Sequence, residues 1–281
     1  MITSDKGNCL VAEVECKSLL NKSGLADYAV NCYAGCAHGC CYCYARFVTR
    51  FSHPGEYWGS FADAKINAPQ ILAREVKRKR LGRVFLSSVC DGWQPVEERY
   101  LLTRQCLEIL LNHGYPITTL TKSTLASRDL DLLASKDGVE FGVTVTTLEE
   151  SIRRIFEPHS SPATGRLDML QEAKRKGIST YVFLGPLLPY LSDTESSLLQ
   201  LLKAVKDVGA DYFYVDRLNP RFGVWPSLKF LLQEHFPELI ADYGQILFNE
   251  PVRSEYSNRL ISKVSSLARK QGLDDKMTIC F

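Results

Sequence analysis

The chain has 281 residues, 45% of them hydrophobic, and its 34 lysines and arginines nearly balance 32 aspartates and glutamates for a net charge of +2. This length holds one large or two ordinary domains, and the charge balance excludes a uniformly basic nucleic-acid-binding surface, though not a local basic patch. No apolar run approaches the roughly 20 residues that cross a bilayer and no signal peptide is recognisable, so the ten cysteines, with Cys40 and Cys41 adjacent, are expected in a reducing cytoplasmic setting rather than in a disulfide framework.

Residues 1–26 read as an N-terminal extension. From 27 to 218, short β-rich apolar runs alternate with longer amphipathic ones. Strands are predicted at 28–32, 84–88, 117–121, 140–145, 180–184 and 212–216, and helices at 69–80, 96–112, 127–135, 165–176 and 194–208. Pro69 and Pro95 fall at helix starts, where a missing N–H costs nothing. The run KRKR at 77–80 suits a solvated helix C-terminus. Such alternation implies an α/β fold with a parallel sheet and helices outside it. A closed barrel takes eight units and about 250 residues, so six units predict a partial (β/α)6 TIM-type barrel. Residues 219–281 carry little readable pattern and are assigned to a closing segment that shuts the open side of the barrel or shapes specificity. Without a linker or a repeat, 1–281 is expected to be a single domain.

In a parallel barrel the chemistry collects at the carboxyl ends of the strands. The loop after the first strand carries GCAHGCCYCYAR, with Cys36, Cys40 and Cys43 separated by three and then two residues. Gly35 and Gly39 free the backbone to turn the thiols and amides inward on one small object. A cubane [4Fe-4S] cluster takes one thiolate per iron, so three ligands leave one iron open to a further molecule. Structural zinc is the alternative, but it takes four ligands in paired CxxC units and no second pair is present. His38, between the ligands, is expected at the rim or in solvent. Cys9, Cys16 and Cys280 have no spacing that supports an auxiliary cluster, and Cys106 lies in an amphipathic helix as a core residue.

CxxxCxxC with Tyr42 before the last cysteine is the signature of the radical SAM superfamily, and NCYAGCAHGCCYCYAR resembles its spore photoproduct lyase-like (DNA repair photolyase-like) branch. The resemblance continues in order through SSVCDGWQPVEERYLLTRQCLEIL (87–110), TKSTLASRD (121–129), VTVTT (143–147), FEPHSSPATGRL (156–167) and GPLLPYLSD (185–193). It implies a partial barrel, a [4Fe-4S] cluster on Cys36, Cys40 and Cys43, and S-adenosyl-L-methionine (SAM) chelating the open iron. It further implies that Ser88 contacts SAM, that Lys122 meets its carboxylate, that Thr144 faces its ribose or methionine part, and that Tyr42 and Tyr44 pack on the adenine and cover the cluster. An external electron donor of the flavodoxin or ferredoxin kind follows from the same resemblance.

Each assignment has a plainer reading. Ser88 can cap its own backbone, Lys122 can pair with Asp129 or Asp131, and Thr144 is at home in any strand. Glu157 and Arg166 read as a charged pair that locks the loop after the fourth strand rather than as catalytic groups. Trp58 and Trp93 are candidates for the substrate mouth, though large rings more often serve packing, and Trp225 starts a helix. True spore photoproduct lyases return hydrogen from a cysteine at the places occupied here by Leu86, Ser87 and Ser88. Cys90 is the nearest thiol, either a displaced hydrogen donor or a small buried hydrophobe. Three functions are therefore open: a radical SAM enzyme acting on a small molecule, peptide or nucleotide; a nucleic-acid lesion lyase; or a non-catalytic iron–sulfur or zinc module.

Overall fold

A computed structural model describes residues 9–281 together with the backbone of Ile2–Thr3. Its centre is a sheet in which seven parallel strands stand in chain order: β1 (Tyr28–Val30), β2 (Val84–Leu86), β3 (Ile117–Thr121), β4 (Val139–Thr144), β5 (Ser179–Leu187), β6 (Tyr212–Arg217) and β7 (Met277–Ile279). Asn21–Lys22 adds antiparallel to the outer edge of β1, and β7 forms the opposite edge. Among the described residues the two edges are not paired, so the barrel is partial, as the sequence predicts.

All six strands expected from the pattern are present. The seventh, β7, comes from the unread C-terminal segment, where three residues are too few to show a period-two alternation. The rest of that segment is helical: Val224–His235, Ile240–Phe248 and Glu250–Gln271. Leu260, Val264 and Leu267 of the last helix join Leu198, Leu201 and Val205 of Glu195–Val208 in the main core. No helix among the described residues is long and apolar enough to cross a membrane.

Strand alternation sorts the side chains. In β6, Phe213 and Val215 are buried with the helices, so Tyr212, Tyr214 and Asp216 face the interior of the barrel. Tyr181 of β5 shares that interior, stacking on Tyr212 at a centroid distance of 5.3 Å. It lies over Gly142 of β4, where a Cβ would sit 2.3 Å from its ring, and its hydroxyl donates to the Thr119 carbonyl at 3.0 Å. Only glycine lets the tyrosine reach across a whole strand at this level.

Three predicted helices differ. The pattern at 69–80 is helical only over Ala68–Glu75, so the KRKR run at 77–80 lies in the turn beyond the helix rather than at its C-terminus. The pattern at 96–112 splits at Leu101, which adopts φ 55, into Glu97–Tyr100 and Leu102–Asn112. The break has a tertiary cause: the buried Glu97 carboxylate accepts the Thr103 and Arg104 amides at 3.0 and 3.1 Å, capping the second helix with a residue from the first. The pattern at 127–135 forms a 3-10 helix, Thr124–Asp129, and one α-turn, Leu130–Leu133. By contrast Glu195–Val208 starts and stops where its caps dictate, with Thr194 accepting the Ser197 amide at 3.2 Å and Gly209 at φ 70.

Candidate active site

The cluster loop is braced before it begins. After β1 the chain enters a small three-stranded sheet, Glu13–Val14, Ala62–Lys65 and Tyr33–Gly35, which delivers Cys36 directly from a strand end. Two tight turns follow, the Gly39 amide donating to the Cys36 carbonyl and the Cys43 amide to the Cys40 carbonyl, both at 3.2 Å. Gly39 takes φ +64 and lies so near Gly59 that a Cβ there would come within 2.7 Å of the Gly39 Cα. Cys36 and Cys40 are buried, Cys43 is half-buried, and none is in a disulfide. Burial pushes the Cys36 thiol well above its ordinary value, Asp91 and then Cys40 and Cys43 adding to it. Burial likewise pushes Cys40 up to about 12 against the pull of Lys122. Three free thiols that repel one another's ionisation in an apolar pocket suit a cationic centre, which converts each to thiolate. Among the described residues no three His, Cys, Asp or Glu side chains converge on one point as ligands of a single ion; a cubane asks instead for one thiolate per iron.

Ser88, Lys122 and Thr144 stand after or at the ends of β2, β3 and β4. Asn31 Nδ2 donates to Ser88 Oγ at 3.0 Å while its Oδ1 accepts the Val89 amide at 2.9 Å, so the serine is held and its proton stays free to donate. The Tyr44 hydroxyl donates to the Ser88 carbonyl. Lys122 is fixed through its backbone, its amide donating to Asp91 Oδ2 at 2.7 Å and its carbonyl accepting the Ser161 amide at 3.0 Å. Its Nζ lies 5.7 Å from the centroid of the Tyr42 ring and has no hydrogen bond or ion pair among the described residues. Burial alone would lower this ammonium, but Cys40 and Glu157 outweigh it and hold it above its usual value. The plainer pairing does not form: Asp129 is taken by Arg104 at 2.6 Å, Arg128 at 2.9 Å and Trp93 Nε1 at 2.8 Å, and Asp131 is 71% exposed. Thr144 is buried and its carbonyl accepts from Arg166 Nη1 at 2.8 Å.

Glu157 and Arg166 form a fully buried ion pair after β4. Arg166 also donates to the Ser161 carbonyl at 2.8 Å, and Ser160 Oγ donates to Glu157 Oε2 at 2.9 Å. Burial would raise the Glu157 carboxyl, yet Arg166 and Lys122 bring it down to about 2. The pair locks its loop, as its charge pattern predicts, and reaches further, because the Tyr42 hydroxyl donates to Glu157 and the Cys41 amide donates to the Phe156 carbonyl at 3.0 Å. Tyr42 therefore links the cluster loop to β4.

Several expectations change. His38 is buried rather than at the rim, its Nδ1 3.4 Å from Asp91 Oδ2. Trp93 is wholly buried on Asp129 and Phe141, far from any mouth, and Trp58 packs with Cys36 and Phe61 as a cover for the cluster loop. The Cys90 thiol is buried in the main core, near Asn31 Oδ1 at 3.7 Å, and burial pushes it up to about 12. Cys9, Cys16 and Cys280 stay apart, beside Asp63, Lys65 and Asp216 respectively. Asn31, Asp91 and Arg46, whose Nη2 donates to the Cys40 carbonyl at 3.0 Å, organise the site but carry no spacing that singles them out. Asp91 alone had a signal, as the acid in the SSVCDGW loop after a strand.

Residues 30–211 match the profile of the family described as the Radical SAM superfamily. The chain belongs to the radical SAM superfamily. Membership implies a [4Fe-4S] cluster and SAM, and the three thiols, the unpaired Lys122 and the free Ser88 proton fit those groups. This radical SAM chain is 29% identical over 257 residues, 90% of its length and 93% of the relative's, to an uncharacterised protein of Methanocaldococcus jannaschii. It is 26% identical over 238 residues to a protein of Pseudomonas phage M6 named radical SAM Nalpha-GlyT isomerase, covering 79% of this chain and 48% of that one. Among solved structures it is similar to spore photoproduct lyase complexed with dinucleoside spore photoproduct, with a TM-score of 0.70 at 16% identity over 96% of this chain and 81% of that one. That likeness is one of fold.

Proposed function

We propose that the chain is a radical SAM enzyme in which Cys36, Cys40 and Cys43 hold the [4Fe-4S] cluster and Ser88, Lys122, Thr144, Tyr42 and Tyr44 seat SAM. The bound pair supplies one-electron reductive cleavage of SAM to a 5′-deoxyadenosyl radical, which abstracts hydrogen from a substrate. Lys122 meets the SAM carboxylate as a charge-assisted donor, Ser88 donates its remaining proton to the amino-acid end, and buried Tyr42 excludes water from the cluster side, while Tyr44, 47% exposed, is held against the Ser88 carbonyl. Tyr181, Phe183 and Tyr214 line the barrel interior beneath, where a substrate sits against aromatic surface.

The observation that carries this reading is the partly buried Lys122 ammonium, over the Tyr42 ring and beside Cys40, with no ion pair or hydrogen bond of its own among the described residues. The test is anaerobic reconstitution with iron and sulfide, then SAM and dithionite. Formation of 5′-deoxyadenosine is expected, and transfer of deuterium into it from labelled candidates identifies the substrate. Iron-free, colourless protein or an absence of 5′-deoxyadenosine rejects the reading. A nucleic-acid lesion lyase is the second reading, supported by the name of the solved structure with the shared fold. In that reading Cys90 is the hydrogen donor and has to leave the core pocket in which it is buried.

A further inference from the structure

We propose that the outer face of the 3-10 helix Tyr44–Arg50, with Phe51 and the turn at Arg221 and Phe222, docks an acidic one-electron donor protein. This rests on the function proposed above and adds the surface through which the electron arrives.

The helix has two faces of opposite character. Cys43 is its N-cap, and Ala45 and Val48 pack with Cys36, Cys43, Trp58 and Phe61. Arg46 lies partly buried with Nη2 on the Cys40 carbonyl. Toward solvent the same helix presents Phe47 and Arg50, and Phe51 follows at 81% exposure. Across a short gap the Arg50 guanidinium stacks 3.5 Å above the ring of Phe222, joining the two segments into one patch. The single turn of chain that covers the thiols is thus also the surface.

The patch is positive and unneutralised. No acidic residue occurs at 44–55 or at 217–233, and the acid that follows the first segment, Glu56, is paired with His53. Arg46, Arg50 and Arg221 make no ion pair among the described residues. The overall charge of +2 conceals this concentration. Exposed aromatic surface rimmed by one sign of charge marks an interaction site, and such charge steers a complementary partner and sets its orientation. Redox encounters are small and transient, below about 1,200 Å², which a helix and a turn suffice to supply.

Position selects the occupant. SAM and substrate occupy the barrel interior, between Lys122 and Thr144, so an electron must come from another side. Cys43, the half-buried ligand, heads the helix beneath the patch. The fitting partner is a small acidic protein with a low-potential flavin or iron–sulfur centre. One electron leaves that reduced centre, which is oxidised, and is taken up at the Cys36, Cys40 and Cys43 site, which is reduced by one; no proton or bond is transferred.

The experiment uses reconstituted protein, a fluorescently labelled flavodoxin and the variants Arg50→Glu/Arg221→Glu and Phe51→Ala. Anisotropy titration is expected to show flavodoxin affinity falling about tenfold or more in the charge-reversed protein, and falling with added salt in the wild type. With reduced flavodoxin, 5′-deoxyadenosine formation falls in parallel, whereas with dithionite it stays within about twofold of wild type. Phe51→Ala, which removes only an exposed ring, gives the same split and serves if the double variant does not retain iron. Unchanged flavodoxin affinity overturns the proposal, as does an equal loss with dithionite. So does a loss of binding to a labelled thymidine oligonucleotide with flavodoxin binding intact, which makes the face a nucleic-acid surface. If wild-type protein makes no 5′-deoxyadenosine with dithionite, the function proposed above fails, while the binding titration still decides the docking face.

Discussion

The Tyr42 hydroxyl and the Glu157 carboxylate are hydrogen-bonded although 115 residues separate them, and with Thr146 Oγ1 3.1 Å from the same hydroxyl this contact ties the cluster loop to the end of the fourth strand and the helix Glu150–Phe156 after it. Removing Glu157 leaves Arg166 buried without a counterion. Glu157→Ala is therefore expected to cost about 3–5 kcal/mol of stability, seen as a lower urea midpoint, and to reduce bound iron after reconstitution. Tyr42→Phe keeps the ion pair and is expected to cost only about 1 kcal/mol.

Lys122 Nζ makes no ion pair or hydrogen bond among the described residues, and Glu157, the carboxylate that acts on it, is already paired with Arg166, so loss of the lysine should spare the fold. Lys122→Met is expected to weaken SAM binding by about 10- to 100-fold, the worth of a charge-assisted hydrogen bond, with iron content and melting temperature unchanged. Equilibrium dialysis with labelled SAM measures the first and iron assay the second. A loss of stability instead would assign Lys122 a structural partner.

Asp129 supplies a pH test away from the cluster. Burial would raise its carboxyl, but Arg128, Trp93 and Arg104 outweigh that and hold it below the ordinary range. A depressed folded pKa contributes stability above the unfolded value of about 4 and loses it as pH falls through the folded value. Asp129→Asn should be less stable than wild type by about 3–5 kcal/mol at pH 7. The gap should narrow below about pH 4, as paired urea melts across that range will show.

Gly142 and Tyr181 form a steric pair. A methyl group at Gly142 meets the tyrosine ring at 2.3 Å, so Gly142→Ala is expected to cost about 1–3 kcal/mol. Tyr181→Ala destabilises by itself, and combining the two should cost less than their sum in a double-mutant cycle.

Individual cysteine replacements separate ligands from bystanders. Cys36→Ala, Cys40→Ala and Cys43→Ala are each expected to abolish the iron–sulfur absorption of reconstituted protein. Cys41→Ala should retain it, although Cys41 is adjacent to a ligand, because its amide rather than its thiol makes the tie to Phe156. Chelation of iron should remove 5′-deoxyadenosine formation in the wild type.

What could be read from the sequence was what is local. The spacing of Cys36, Cys40 and Cys43 and the strand–helix rhythm are encoded within a few residues of one another. Six strands and the ends of Glu195–Val208 followed from periodicity and caps. The kink at Leu101 did not, because a capping carboxylate and the helix it caps looked like one continuous amphipathic run. Asn31 and Asp91 escaped notice because their partners, Ser88 and Lys122, lie 57 and 31 residues away. His38 read as a rim or surface residue because a histidine between two cysteines of the motif gives no hint of a buried carboxylate opposite it.

The seventh strand stops at Ile279, and among the described residues no strand bridges from it to Asn21–Lys22 on the far margin of the sheet. Two margins that share no hydrogen-bond ladder can move apart or together without breaking any strand pairing, a freedom that a closed hoop of strands lacks.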